Sequence, residues 1–162
     1  MSEDRNIKVA RLIGLEKKTR EARNQDELNF VVANETRQII DFVNSFLLLK
    51  TPKGDFNVKA TSDLATVDRT SPLLAFVENI INTKSTLNKK DIQNIETDKI
   101  SRSIKVKKPK NIPDNILYVP IFSPQKGLQG FLLLTRNEKF NDNEIELARH
   151  LSVSYGHAYN SF

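Results

Sequence analysis

The sequence predicts an α+β fold, a five- to six-stranded antiparallel sheet in the order 2-1-5-4-3 with its N- and C-terminal helices packed on one face. Three stretches predict it. Ile116 to Phe122 and Leu128 to Leu134 are apolar runs on either side of the turn residues Ser123-Pro124-Gln125-Lys126-Gly127, which is the pattern of a β-hairpin. Val43 to Lys50 and Phe56 to Thr61 flank Thr51-Pro52-Lys53-Gly54 in the same way. Asn141, with Glu144 three residues on, reads as a helix N-cap. It opens a helix whose Ile145, Ala148, Leu151, Tyr155, Ala158 and Phe162 share one face, with Phe140 and Ile145 as a hydrophobic staple.

Length and composition set the bounds. A chain of 162 residues, 38% apolar and 28% charged, reads as one domain over 1–162 with a single substantial core. There is no cysteine, which excludes disulfides, thiolate metal sites and cysteine nucleophiles. No run approaches the roughly 18 apolar residues of a membrane span. The start lacks the layout of a signal peptide, so a cytoplasmic location is the expectation. A net charge of +5 permits attraction to phosphates or anionic lipid without requiring it.

Along the chain, 7–22 reads as a terminal helix, the partner of a second one over 142–160. Asn24 is another N-cap, with Glu27 three residues later, and Leu28, Val31, Val32, Ile39 and Phe42 mark a helix from Gln25 to Asp41. The strand from Asn44 is apolar on both faces and therefore central. The strand from Phe56 alternates and lies at an edge. Ser71-Pro72 opens a helix to Asn82. A short helix is expected around Asp91 to Glu96, and the alternation of Ser103-Ile104-Lys105-Val106-Lys107 predicts the other edge strand. Pro120, inside a central strand, should cost a ladder hydrogen bond, and a bulge is expected to absorb it.

This order of elements, together with Tyr118-Val119-Pro120-Ile121, Gly130-Phe131-Leu132-Leu133-Leu134 and Phe140 ahead of a helix bearing Glu144, Leu147, Ala148 and Leu151, resembles a GAF domain, of the GAF/PAS-like class. Three further segments resemble the GAF-like domains of haemolysin-secretion-type membrane-fusion (periplasmic adaptor) proteins. They are Asn34-Glu35-Thr36-Arg37, Val67-Asp68-Arg69-Thr70-Ser71-Pro72 and Tyr155-Gly156-His157-Ala158-Tyr159. The resemblance implies a sensory or protein-interaction module that dimerises through its terminal helices. It would be the cytoplasmic part of a bacterial efflux or secretion adaptor, tethered to the inner membrane by segments outside this chain. Bilin attachment and methionine-sulfoxide reduction in GAF proteins need cysteine, and the Asn-Lys-Phe-Asp-Glu arrangement of cyclic-nucleotide binders is missing, so neither chemistry is implied.

The residues themselves offer little catalytic machinery. HExxH, Walker, GxGxxG and GxSxG patterns are all missing. His150 and His157 stand two helical turns apart, about 10 Å, too far for one metal ion. No enzyme activity, cofactor or metal is expected. Glu35, on an apolar stripe, must find donors or be neutralised. It is a candidate polar anchor of a ligand pocket or a strut to the loop 67–71, with Arg69 as partner; Arg37 and Asp68 carry the same two readings. Phe46, Leu48 and Tyr118 would line a cavity beneath the connections 61–71 and 83–99, and that cavity is expected to be filled by side chains of the domain. Lys99, Arg102, Lys105, Lys107, Lys108 and Lys110 form a basic stretch that could bind nucleic acid or anionic membrane. Without interleaved aromatics nucleic acid is disfavoured, and a solvated edge strand is the simpler reading.

Overall fold

The computed structural model describes residues 2–62, 67–68, 70–83 and 90–162. Five antiparallel strands make one sheet: β1 (Asn44–Lys50), β2 (Phe56–Thr61), β3 (Gln93–Glu96), β4 (Asn115–Ser123) and β5 (Gly127–Arg136), in the order β2-β1-β5-β4-β3. Alternation along the three central strands sends their side chains to two separate cores. Leu47, Leu49, Leu117, Val119, Leu132 and Leu134 meet Leu15 of α1 (Ser2–Glu21), Leu28 and Val32 of α2 (Gln25–Glu35), and Leu151 and Tyr155 of α5 (Asp142–Tyr159). Phe46, Leu48, Ile116, Tyr118, Phe131 and Leu133 meet α3 (Pro72–Asn82) and α4 (Thr97–Ile104). The terminal helices thus share one face of a three-layer α/β/α stack. Buried on both sides, β1, β4 and β5 have the near-continuous apolar runs that such strands require.

Local chemistry explains the boundaries. Asn24 caps α2 through the Glu27 N–H, and Asn141 and Glu144 form a complete capping box on α5. Ser71 precedes α3 but makes no side-chain cap; Pro72 begins the helix in its place. The helix expected to run to Asp41 ends at Glu35 instead. The Thr36 hydroxyl donates back to the Val32 carbonyl, and the chain tightens into a 3-10 turn over Thr36–Gln38. On α5, Gly156 lies so close to β4 that a Cβ there would sit 1.8 Å from the Phe122 carbonyl oxygen.

Two sequence expectations are corrected between 91 and 107. The edge strand is Gln93–Glu96, where a helix was expected, and Ser103 to Lys107 is the end of a helix and its exit, where a strand was expected. Thr97, Ile100 and Ile104 lie on one helical face and are all buried, and that spacing outweighs an alternation only five residues long. Lys105 leaves the helix in the left-handed conformation, φ 58°. β3 was hidden because Ile95 is its one apolar side chain.

Pro120 needs no bulge. The Thr97 N–H donates to the Asp114 carbonyl, so the even-numbered β4 residues turn their backbone groups toward β3. β3 starts at Gln93, opposite Tyr118, so the missing N–H of Pro120 faces a position where the strand has not begun. The Pro120 carbonyl accepts the Ser152 hydroxyl at 2.6 Å. The irregularity in β4 falls one step further on, between Ile121 and Phe122.

Candidate functional site

Phe46, Leu48 and Tyr118 gather in one core, whereas the candidate polar anchors Glu35 and Asp68 stand apart from each other. Glu35, half-buried at the end of α2, pairs with Lys18 of α1 at 3.4 Å and accepts a hydrogen bond from Gln38. It is a strut between α1 and the turn that follows α2, and its partners among the described residues do not include the loop 67–71. Arg37 lies over the Phe42 ring, 4.6 Å from its centroid, beside the same core. Asp68 is exposed ahead of α3, on the other layer, where the Thr70 hydroxyl and backbone N–H hold its carboxyl below the usual range. Arg69 lies outside the described residues. Phe46, Leu48 and Tyr118 are all buried in the core beneath α3 and α4. They pack with Phe56 and Phe131, whose rings meet edge to face at 5.0 Å. Burial pushes the Tyr118 phenol well above its ordinary pKa, and the Thr61 hydroxyl on the same sheet row has no hydrogen-bond partner among the described residues.

Three buried features were missed by sequence reasoning. The Tyr155 hydroxyl meets the Thr36 hydroxyl at 2.6 Å, the Tyr159 hydroxyl donates to the Asn29 side chain at 2.5 Å, and Gly156 seats α5 on β4. Two of the segments that resemble the adaptor family, Asn34 to Arg37 and Tyr155 to Tyr159, are therefore joined in the interior and do packing work. No local signal announces the two tyrosine pairs, whose members lie 119 and 130 residues apart.

The basic stretch is a helix, its exit and a turn. Lys108 pairs with Asp98 at 2.5 Å, which holds Asp98 below the usual carboxylate range. Lys99, Arg102, Lys105, Lys107 and Lys110 are exposed without an ion-pair partner among the described residues. Lys99 lines a groove of about 510 Å³ along β3, with Ile100 and Ser103 on its own helix and Lys139 on the opposite wall.

The other surface feature is the pairing of α1 and α5. The Ser154 hydroxyl donates to Glu16 at 2.9 Å, and a groove of about 470 Å³ beside it is lined by Arg20, His157, Ser161 and Phe162. Residues 5–11 of α1 are exposed throughout. Ile7, Val9 and Ile13 are 49%, 49% and 60% exposed, and Val153 on α5 is 61% exposed. His150 and His157 lie on the outside of α5, and no group of three metal-binding side chains gathers among the described residues.

By sequence, the chain matches no family model and no curated protein. By structure it matches a GAF domain assigned to a sensor histidine kinase of Pseudomonas syringae pv. tomato, with a TM-score of 0.67 at 13% identity over 99% of this chain and 90% of that one. The fold is that of the GAF domain. A GAF domain of a phosphoenolpyruvate-protein phosphotransferase from Coxiella burnetii gives a TM-score of 0.68 at 13% identity, covering 96% of this chain and 94% of the other. A phycoerythrobilin-bound GAF domain of a cyanobacterial phytochrome gives 0.60 at 14%, covering 95% and 97%. Membrane-fusion adaptors are not among these GAF structures, and no helix among the described residues is long and apolar enough to cross a membrane.

Proposed function

We propose that this chain is a non-enzymatic GAF-type sensory and protein-interaction module that pairs with a second copy through α1 and α5. The observation that carries the reading is the exposed apolar pair Ile13 and Val153, with Val9 one turn before Ile13 on the same face of α1. Ile13 precedes Glu16 by one turn and Val153 adjoins Ser154, so both flank the bond that joins the helices. An isologous contact places the same patch on both subunits, and this is the commonest oligomer arrangement. Two of the similar structures are GAF domains of a sensor histidine kinase and of a phosphoenolpyruvate-protein phosphotransferase, and in a host of that kind this module would be a control element. The host suggested by the three short segments is a membrane-associated secretion or efflux adaptor. Its support is those segments alone, and a run of about 20 apolar residues in the full gene would strengthen it.

Sedimentation equilibrium tests the pairing. The wild-type chain should give a dimer mass in the micromolar range, and Ile13→Glu with Val153→Glu should give a folded monomer. A wild-type monomer at high concentration, or a dimer untouched by both changes, contradicts it.

A further inference from the structure

The two edges of the sheet are treated differently. At the β2 edge, α3 supplies side chains in place of a sixth strand. Asn82 both accepts from the Phe56 N–H and donates to its carbonyl, each at 2.9 Å, and Glu78 accepts from the Val58 N–H at 2.8 Å. That edge is closed, as exposed edges usually must be if they are not to recruit another chain. No such cover lies on β3 among the described residues.

The register shows which β3 groups are left. Thr97 bonds to Asp114, and by alternation Ile95 and Gln93 face β4, so the backbone of Asn94 and the N–H of Glu96 point away from the sheet. The Glu96 carbonyl stands at the N-cap of α4 and serves the helix. Asn94 therefore offers a donor and an acceptor, and Glu96 one further donor, in a line. The groove beside them touches Gln93, Asn94, Ile95 and Glu96 in succession. Because neighbouring strand residues point to opposite faces, a groove that meets all four runs along the edge of the strand. Lys99 on α4 and Lys139 ahead of α5 form its two walls, against the single carboxylate of Glu96.

We propose that the open edge of β3 binds an extended acidic peptide by strand addition, with backbone pairing at Asn94 and Glu96 and the peptide carboxylates held between Lys99 and Lys139. Backbone groups give such a contact its affinity and side-chain neighbours its selectivity. The exposed Arg102, Lys105, Lys107 and Lys110 nearby add a field that draws an acidic segment in. A second copy of this chain is a poorer occupant, since edge-to-edge pairing would bring the same lysines together. A phosphate backbone could use the lysines but has no amides to pair with Asn94.

The test uses a labelled, end-blocked peptide of about eight residues alternating glutamate and valine, read by fluorescence anisotropy against the full chain. Glu96 has φ −76°, a value proline adopts, and its N–H takes no part in the β3–β4 ladder, so Glu96→Pro removes a docking donor while keeping the strand. Binding should weaken at least about tenfold in Glu96→Pro and again in Lys99→Glu with Lys139→Glu. Glu96→Gln, which keeps the N–H, should bind as well as wild type or better. Melting curves establish that each variant is folded. The proposal is overturned if the peptide does not bind wild type, if Glu96→Pro binds it unchanged, or if a lysine–valine peptide binds equally. It also fails if anionic vesicles or a single-stranded oligonucleotide displace the peptide and keep their own affinity for Glu96→Pro, or if Glu96→Pro abolishes a wild-type dimer.

Discussion

Tyr118, Tyr155 and Tyr159 are the only tyrosines in the chain, and their exposures are 1%, 0% and 2%. Burial is the first cause that raises all three phenols above the ordinary value of 10.0; at Tyr155 the bond to Thr36 offsets it only in part. The folded state therefore favours the neutral phenol, and its pKa exceeds that of the unfolded chain. The resulting stability is complete below pH 10 and declines as pH rises above it. An alkaline titration followed by phenolate absorbance should stay flat through the normal tyrosine range, then rise for all three residues together as the chain unfolds. A gradual rise near pH 10 with circular dichroism unchanged would contradict this burial. Thr36 and Asn29, the partners of Tyr155 and Tyr159, were not foreseen because a pairing over more than a hundred residues leaves no local signature.

At the level of elements, one arginine ties three segments together. Arg136, at the end of β5, donates to both carboxylate oxygens of Glu144 at 2.5 and 2.6 Å and to the carbonyls of Asp41, Glu138 and Lys139, and it lies 4.0 Å over the Phe140 ring. Burial draws the Glu144 carboxyl up, but the Arg136 fork and the Asn141 N–H outweigh it and hold it below its usual value. Its stabilisation is thus present above the ordinary glutamate range and is lost as pH falls below it. Arg136→Lys keeps the charge but loses the fork, and should destabilise the chain by about 2 kcal/mol in urea titration, with Arg136→Ala costing more. A lysine variant as stable as wild type would sink this reading. The hairpins and the capped α5 were legible because their signals are local: turn residues, apolar runs, Asn141 with Glu144. The 93–107 region was not, since β3 is a strand through its pairing with β4, a tertiary cause that four residues with one apolar side chain cannot announce. The same limit applied to Glu35, whose partner Lys18 sits on another helix.

For the whole molecule, side chains of the described residues pack on both faces of the sheet, and two surface regions differ in chemistry. α1 and α5 expose Val9, Ile13 and Val153, and the β3 edge is polar and basic, so the two suit different partners. The central claim, that copies of the chain meet through α1 and α5, can be tested directly because the chain contains no cysteine. Single cysteines at Ile13 or Val153 report the contact, and one at Lys53, in the turn between β1 and β2, serves as the control. Under mild oxidation the Ile13→Cys or Val153→Cys chain should form a disulfide-linked dimer rapidly, while Lys53→Cys stays monomeric. Equal cross-linking at all three positions, or none at the helix positions, would contradict pairing through the terminal helices.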